Sequence, residues 1–122
     1  MLSVGIDLIE IKRIKKSMRN PRFCKFILGD TEFNQLQKRG FPPQSVAASF
    51  SAKEAFAKAI GTGIKHFKLS EVELLRQENG QPYLFLSGSA YKKKKKNNYT
   101  FTTSVTHTKE YASCVVIASN LE

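Results

Sequence analysis

The sequence predicts an α+β fold in a single domain: an N-terminal strand, several helices, then antiparallel strands. Three observations carry this. Residues 2–7 form an apolar run that ends in an acid. Positions 11–60 repeat apolar residues every three or four places, with breaks at Asn20-Pro21 and Phe41-Pro42-Pro43. From residue 72 onward the period drops to two, and turn signals divide the segments. No internal repeat or Pro/Gly/Ser linker gives a second domain a place to begin, and 122 residues suit one. A chain this short buries only about two-thirds of its unfolded surface, a thin core that association with further copies would reinforce.

Each element follows in turn. LSVGID at 2–7 reads as a short buried strand. Ile11, Ile14 and Met18 then mark the apolar stripe of a helix whose other face carries Lys12, Lys15, Lys16 and Arg19. Asn20-Pro21 stops it and starts a second helix with Phe23, Phe26 and Ile27 as its apolar stripe, closed by Gly29. Asp30-Thr31 caps a third that runs to Gly40. Ser45 caps the strongest helix, VAASFSAKEAFAKAI, which Gly61 ends. Val72 and Leu74 alternate with acids up to the Asn79-Gly80 hairpin turn, and Pro82 to Leu86 return. Residues 87–96 form a lysine-rich helix with a fraying end. Tyr99–Val105 and Tyr111–Ala118 are strands flanking the THTKE turn.

Composition narrows the class. Hydrophobic residues at 41% and charged residues at 25% exclude wholesale disorder and collagen. No apolar run approaches the roughly 18–20 residues of a membrane span, and the first residues lack the basic head and long apolar stretch of a signal peptide. Cys24 and Cys114 have no CxxC or Cys/His zinc spacing and read as reduced, buried, small apolar side chains of a cytoplasmic protein. Lys and Arg number 20 against 10 acids, a net +10 that favours acidic partners. Half of the excess is one block, Lys92 to Lys96, whose ordinary reading is a solvated surface segment.

Polar groups stand out in three places. Asp7 ends an apolar strand, where a carboxylate needs a partner; helix capping is the ordinary explanation. Phe50, Glu54 and Lys58 share one helical stripe that starts apolar and becomes charged, with Lys53 beside it. An exposed Glu54–Lys58 pair would contribute only about 0.3–0.5 kcal/mol. The surrounding Ala and Phe instead suggest burial, and one metal ion held by Glu54 and Asp7 would answer both anomalies. Gly61-Thr62-Gly63 allows positive φ and close backbone approach, and its N–H groups suit phosphate, although glycine after a helix is commonly only a cap. His107 lies between the last strands, where a histidine is more often structural than catalytic, and His66 reads as a surface residue.

Together these segments resemble holo-acyl-carrier-protein synthase, the short bacterial phosphopantetheinyl transferase. The resemblance rests on Gly5-Ile6-Asp7-Leu8 with Glu10, Arg13 and Ile14, on FSAKEAFAKAIGTGI at 50–64, and on Leu69-Ser70 with Glu73. Asn79-Gly80-Gln81-Pro82-Tyr83 and SVTHTKEYA at 104–112 complete it. It implies the phosphopantetheinyl transferase fold and transfer of 4′-phosphopantetheine from coenzyme A to a serine of apo-acyl carrier protein in fatty acid biosynthesis. Adenosine 3′,5′-bisphosphate is released.

It further implies Mg2+ on Asp7 and Glu54, an ion that prefers octahedral oxygen ligands and commonly takes one or two carboxylates plus substrate phosphates. Lys58 would bridge the pyrophosphate and stabilise or protonate the leaving group. Glu54, directly or through a metal-bound water, would take the serine proton, with a metal-bound hydroxide as the competing base. Gly61, Thr62, Gly63 and Pro82 match positions that line coenzyme A, and His107 with Thr108 match the segment near its adenosine and 3′-phosphate. The family is a homotrimer with sites between neighbours: Asp7, Glu54 and Lys58 from one chain, the His107 segment from the next. Arg13 and Arg22 match carrier contacts.

Ser49 departs from the family, where Arg is common; Lys53 or another nearby lysine is the expected substitute. A small basic RNA-binding module is the alternative, favoured by the net charge but leaving Asp7 and Glu54 unexplained. The longer transferases that serve large synthetases are about twice this length.

Overall fold

The structure is a computed structural model that describes residues 1–120. Strand β1 spans Leu2–Glu10 and helices α1 Ile11–Ser17, α2 Phe23–Ile27, α3 Asp30–Lys38 and α4 Pro43–Ile60 follow. Two single turns at Ile64–His66 and Leu69–Glu71 lead to β2 Val72–Arg76 and β3 Pro82–Leu86. Helix α5 Gly88–Asn97, then β4 Thr100–His107 and β5 Tyr111–Ser119, complete the chain. Strands β1, β5 and β4 form an antiparallel sheet in that order, and β2 and β3 form a separate hairpin.

Strand β1 runs three residues further than its apolar pattern suggests. Nine consecutive residues find partners on β5, so Leu8, Ile9 and Glu10 stay in the ladder opposite Ser113, Ala112 and Tyr111. Asp7 therefore lies inside a strand, opposite Cys114, and caps no helix; α1 begins four residues later with Glu10 ahead of it. Ser45 is not a cap either. Helix α4 starts at Pro43, whose fixed φ and absent N–H suit a first helical position, and the Ser45 hydroxyl accepts a hydrogen bond from Arg39 Nη2 at 3.1 Å. Asp30 opens α3 after Gly29, and α3 ends at Lys38, before the left-handed Gly40 and Phe41. Gly61 closes α4 at φ 74°, and Asn98 closes the lysine-rich α5 at φ 54°.

Helix α4 is the hub. It packs on the inner face of the sheet, with β2 on another side, and on α1. Its alanines let backbone approach backbone: a Cβ on Gly5 would stand 1.9 Å from the Ala55 carbonyl oxygen. Phe56, fully buried, meets Phe67 at 5.3 Å and Phe101 at 5.0 Å between ring centroids, beside Val116 and Ala118. A second apolar cluster joins Ile14, Ile27, Leu36, Val46 and Ala112. Cys114 is buried and Cys24 half-buried, both as free thiols. No helix among the described residues is long and apolar enough to cross a membrane.

Candidate active site

Along β1, side chains alternate between two faces. Ser3, Gly5, Asp7 and Ile9 turn toward α4; Leu2, Val4, Ile6 and Leu8 turn outward and are exposed. The inward set registers strand against helix. Ser3 Oγ donates to the Ala59 carbonyl at 2.6 Å, and Ser51 Oγ donates to the Asp7 carbonyl at 3.2 Å. Ser113 Oγ, from β5, donates to the same Asp7 carbonyl at 2.7 Å. Two hydroxyls thus fix the main chain that carries the Asp7 carboxylate.

Glu54 and Lys58 stand one turn apart on α4, and the structure brings both to Asp7. Lys58 Nζ donates to the Ile6 carbonyl at 2.9 Å and lies 3.7 Å from Asp7 Oδ1. The ion pair of Lys58 is therefore with Asp7 and not with Glu54. Because 57% of the Lys58 side chain is exposed, this pair adds little stability. Glu54 is half-buried. Burial raises its carboxyl above the ordinary value, the nearby charge of Asp7 raises it further, and Lys58 opposes both. Two carboxylates sharing one solvent-facing lysine leave unbalanced negative charge, the condition that a divalent cation relieves. Among the described residues, no group of three or more His, Cys, Asp or Glu could hold a metal. Two carboxylates without thiolate or paired histidine are a donor set that would suit Mg2+, with water and substrate filling the other positions, and not zinc.

Gly61 and Gly63, at φ 74° and 68°, flank Thr62 directly after this pair. A Cβ at either would meet nothing within 4 Å, so glycine is required here by backbone conformation and not by crowding. The turn sits at the carbonyl end of α4, the negative pole of the helix, which disfavours a phosphate.

His107, at the end of β4, lies elsewhere. It is exposed and borders a groove of about 580 Å³ between α3, the first half of α4, β2 and β4. Lys38, Arg39, Ser49 and Arg76 line the same groove, which contains no acidic residue and none of Asp7, Glu54 or Lys58. Pro82 opens β3 opposite Arg76. Thr108 Oγ1 accepts from the N–H groups of Glu110 and Tyr111 at 3.2 and 3.0 Å, so its side chain holds the turn. Ser49 is buried at the groove wall. Lys53 cannot substitute for an arginine there. It is fully buried, and its ammonium is committed to Glu32 Oε1 at 2.8 Å, Glu32 Oε2 at 3.1 Å and the Val72 carbonyl. Burial lowers the pKa of the Lys53 ammonium, against the pull of Glu32 and Glu73.

Arg13 and Arg22 come together on one face. Shallow grooves along α1 and α2 contain Arg13 in one and Arg22 with Arg19 in the other, and both share Lys16, Ser17 and Phe23. Phe26 stands 73% exposed beside them. His66 is exposed, as expected. The sequence pattern missed Lys38, Arg39 and Arg76, whose spacing carries no signal, and it misread Glu73. Glu73 looked like the solvent side of an alternating strand, yet Val72 to Leu75 are all buried.

The profile of the 4′-phosphopantetheinyl transferase superfamily matches residues 3–116. The chain belongs to this superfamily. Within it, the chain is 39% identical to the holo-[acyl-carrier-protein] synthase of Fusobacterium nucleatum subsp. nucleatum, covering 96% of this chain and 98% of that one. The crystal structure of the Neisseria meningitidis holo-[acyl-carrier-protein] synthase superposes with a TM-score of 0.89 at 26% identity, covering 96% and 97%. That of the Helicobacter pylori holo-[acyl-carrier-protein] synthase in complex with coenzyme A gives 0.81 at 27%, covering 95% and 99%. Family membership decides for the enzyme over the RNA-binding module, and near-complete coverage of these relatives decides for the short form of transferase.

Proposed function

We propose that this chain transfers 4′-phosphopantetheine from coenzyme A to a serine of apo-acyl carrier protein and releases adenosine 3′,5′-bisphosphate, with Asp7, Glu54 and Lys58 as its reactive centre. The observation that carries this reading is the convergence of the three groups: two carboxylates, one raised by burial and then by the other's charge, beside a largely exposed lysine. Asp7 and Glu54 would hold Mg2+. Bound there, the ion supplies charge neutralisation for the donor diphosphate and polarises the phosphorus under attack.

The chain's own groups perform the rest. The serine oxygen forms a bond to the β-phosphorus as the bond to the leaving bisphosphate breaks. The serine proton passes to Glu54, directly or through a water; burial raises this carboxyl in the metal-free chain, and a bound cation would lower it, which favours the water-mediated route. Lys58, held to strand β1 by the Ile6 carbonyl and by its exposed pair with Asp7, turns to the diphosphate and neutralises or protonates the leaving oxygen.

The basic groove suits the phosphate-bearing adenosine end of coenzyme A. His107 lies on it, Pro82 stands opposite the groove residue Arg76, and Arg39 and Arg76 supply the charge that Ser49 does not. The Gly61-Thr62-Gly63 turn lines the uncharged part of the donor beyond Lys58, consistent with its place at the negative pole of α4. The groove contains none of the three reactive residues, which supports a site that pairs the carboxylates of one chain with the groove of another.

The outer face of the sheet supports a homotrimer. Leu2, Val4, Ile6 and Leu8 are each at least 62% exposed in the single chain, with Ile117 beside them. Water-facing apolar rows of this kind mark a contact surface. The Arg13 and Arg22 face, with Phe26 beside it, fits an acidic carrier. Two free thiols suit a reducing, cytoplasmic setting.

Mass spectrometry of apo-carrier protein incubated with coenzyme A, Mg2+ and this chain tests the reaction. The expected result is a gain of one phosphopantetheinyl group, absent without Mg2+. An unmodified carrier under conditions where a known synthase modifies it refutes the reading.

A further inference from the structure

Lys53, Glu32 and Glu73 form a buried polar network that the chemistry above leaves unused. All three are buried, Lys53 and Glu32 almost entirely. The Glu32 carboxylate accepts from Lys53 through both oxygens and also from the N–H groups of Gly29 at 3.1 Å and Leu74 at 2.9 Å. Glu73 Oε1 accepts from the Glu32 N–H at 2.8 Å and fits only because residue 29 is glycine; a Cβ there would stand 2.3 Å from its carboxyl carbon. One cluster thus ties α3 and β2 to α4, with no buried polar side-chain atom unpaired among the described residues.

Such a pair is a poor source of stability. Burying two charges costs about what their attraction returns, and apolar replacements of similar volume are commonly neutral or better. What it supplies is direction. Helix α4 buries six alanines, and its large interlocking side chains are few, chiefly Val46 and Phe56. Directional bonds add to that packing in setting its azimuth: Ser51 to the Asp7 carbonyl on the sheet side, and Lys53 to Glu32 and Val72 on the other. Lys53 immediately precedes Glu54, and adjacent helical residues point about 100° apart. Holding one therefore aims the other.

We propose that Lys53, through its buried ion pair with Glu32, is a positioning residue that sets the rotation of α4 and so aims Glu54 at Asp7. This rests on the reading of Asp7 and Glu54 as a shared metal-holding pair. Carboxylates that share an ion must be kept within about 0.5 Å and 10–20° of the productive arrangement.

The test uses the neutral double variant Lys53→Met/Glu32→Gln of the full chain, with Asp7→Ala as control. Melting temperature, Mn2+ affinity with coenzyme A present (by electron paramagnetic resonance), kcat and KM for the carrier are measured. The double variant should remain folded, lose about 10–100-fold in Mn2+ affinity and at least about tenfold in kcat, and keep KM for the carrier, whose docking face it does not touch. A merely structural role would move only the melting temperature. A folded double variant with wild-type Mn2+ affinity and kcat overturns the proposal. If the double variant does not fold at the assay temperature, Glu32→Gln alone is judged by the same measurements. Asp7→Ala with undiminished Mn2+ affinity refutes the metal-holding pair itself, and the positioning role with it. Loss in Asp7→Ala with retention in the double variant refutes the positioning role alone.

Discussion

Asp7 and Glu54 come from residues 47 positions apart, and their meeting explains charge that neither segment explains alone. Removing either should abolish most transfer, on the order of 10²-fold or more, as for other lost electrostatic contacts to a reacting group. Circular dichroism of Asp7→Ala and Glu54→Ala should show the fold intact, and turnover within a few-fold of wild type at millimolar Mg2+ contradicts the assignment. The raised Glu54 carboxyl has a second consequence. In metal-free protein the folded state binds that proton more tightly than the unfolded chain, whose carboxyl titrates near its ordinary 4.5. The stability this contributes is full below that value and is lost as pH rises through the raised one. Denaturation of wild type should therefore lose ground to Glu54→Gln as pH rises toward neutrality, and parallel curves contradict the shift. Of these details, the sequence displayed the anomaly of two unpaired acids. It could not display that Lys58 turns to Asp7 and leaves Glu54, because that choice depends on a strand 50 residues away.

Strand β1 and helix α4 were both legible, from an apolar run and from dense helix formers, and the Asn79-Gly80 hairpin appears where its turn chemistry placed it. Their contact was not legible. Gly5 reads as an ordinary strand residue until α4 is laid against it, and then its missing Cβ becomes the reason the two backbones can touch. Gly5→Ala should push helix from strand, costing about 1–3 kcal/mol as overpacking does and weakening Mn2+ binding as Asp7 and Glu54 part. Chemical denaturation measures the first effect, and an unchanged midpoint contradicts it. Phe56→Ala, which empties the centre of the α4–sheet core, should cost about 3–5 kcal/mol. The end of β1 differs from its apolar pattern because strand length is set by the partner β5, which a local pattern cannot see. Glu73 was misread for the same reason: its alternation looked solvent-facing, but α3 covers it.

At the scale of the whole molecule, the first residues expose an apolar row that a further copy of the chain would cover. Val4-Gly5-Ile6-Asp7-Leu8-Ile9 is apolar on nearly both faces, the signature of a strand covered on both sides, yet the single chain covers only one. Sedimentation should find a particle of three 13.8 kDa chains. Ile6→Asp should yield a folded monomer with little activity, since carboxylates and groove would no longer meet; an active monomer contradicts sites shared between chains. Charge was legible as a total but not as a map. The basic residues gather in the groove beside His107, on the Arg13 and Arg22 face, and on the Lys92 to Lys96 helix. KM for carrier should rise with ionic strength, and Arg13→Glu with Arg22→Glu should raise it further with little change in kcat.

Crystals grown with coenzyme A and Mn2+ and measured at the manganese absorption edge can locate the ion without ambiguity. One anomalous peak is expected between the carboxylates of Asp7 and Glu54 and the donor diphosphate, with oxygen ligands at about 2.1 Å. A peak held by other residues, or Asp7 and Glu54 directed apart with donor bound, would contradict the shared metal site.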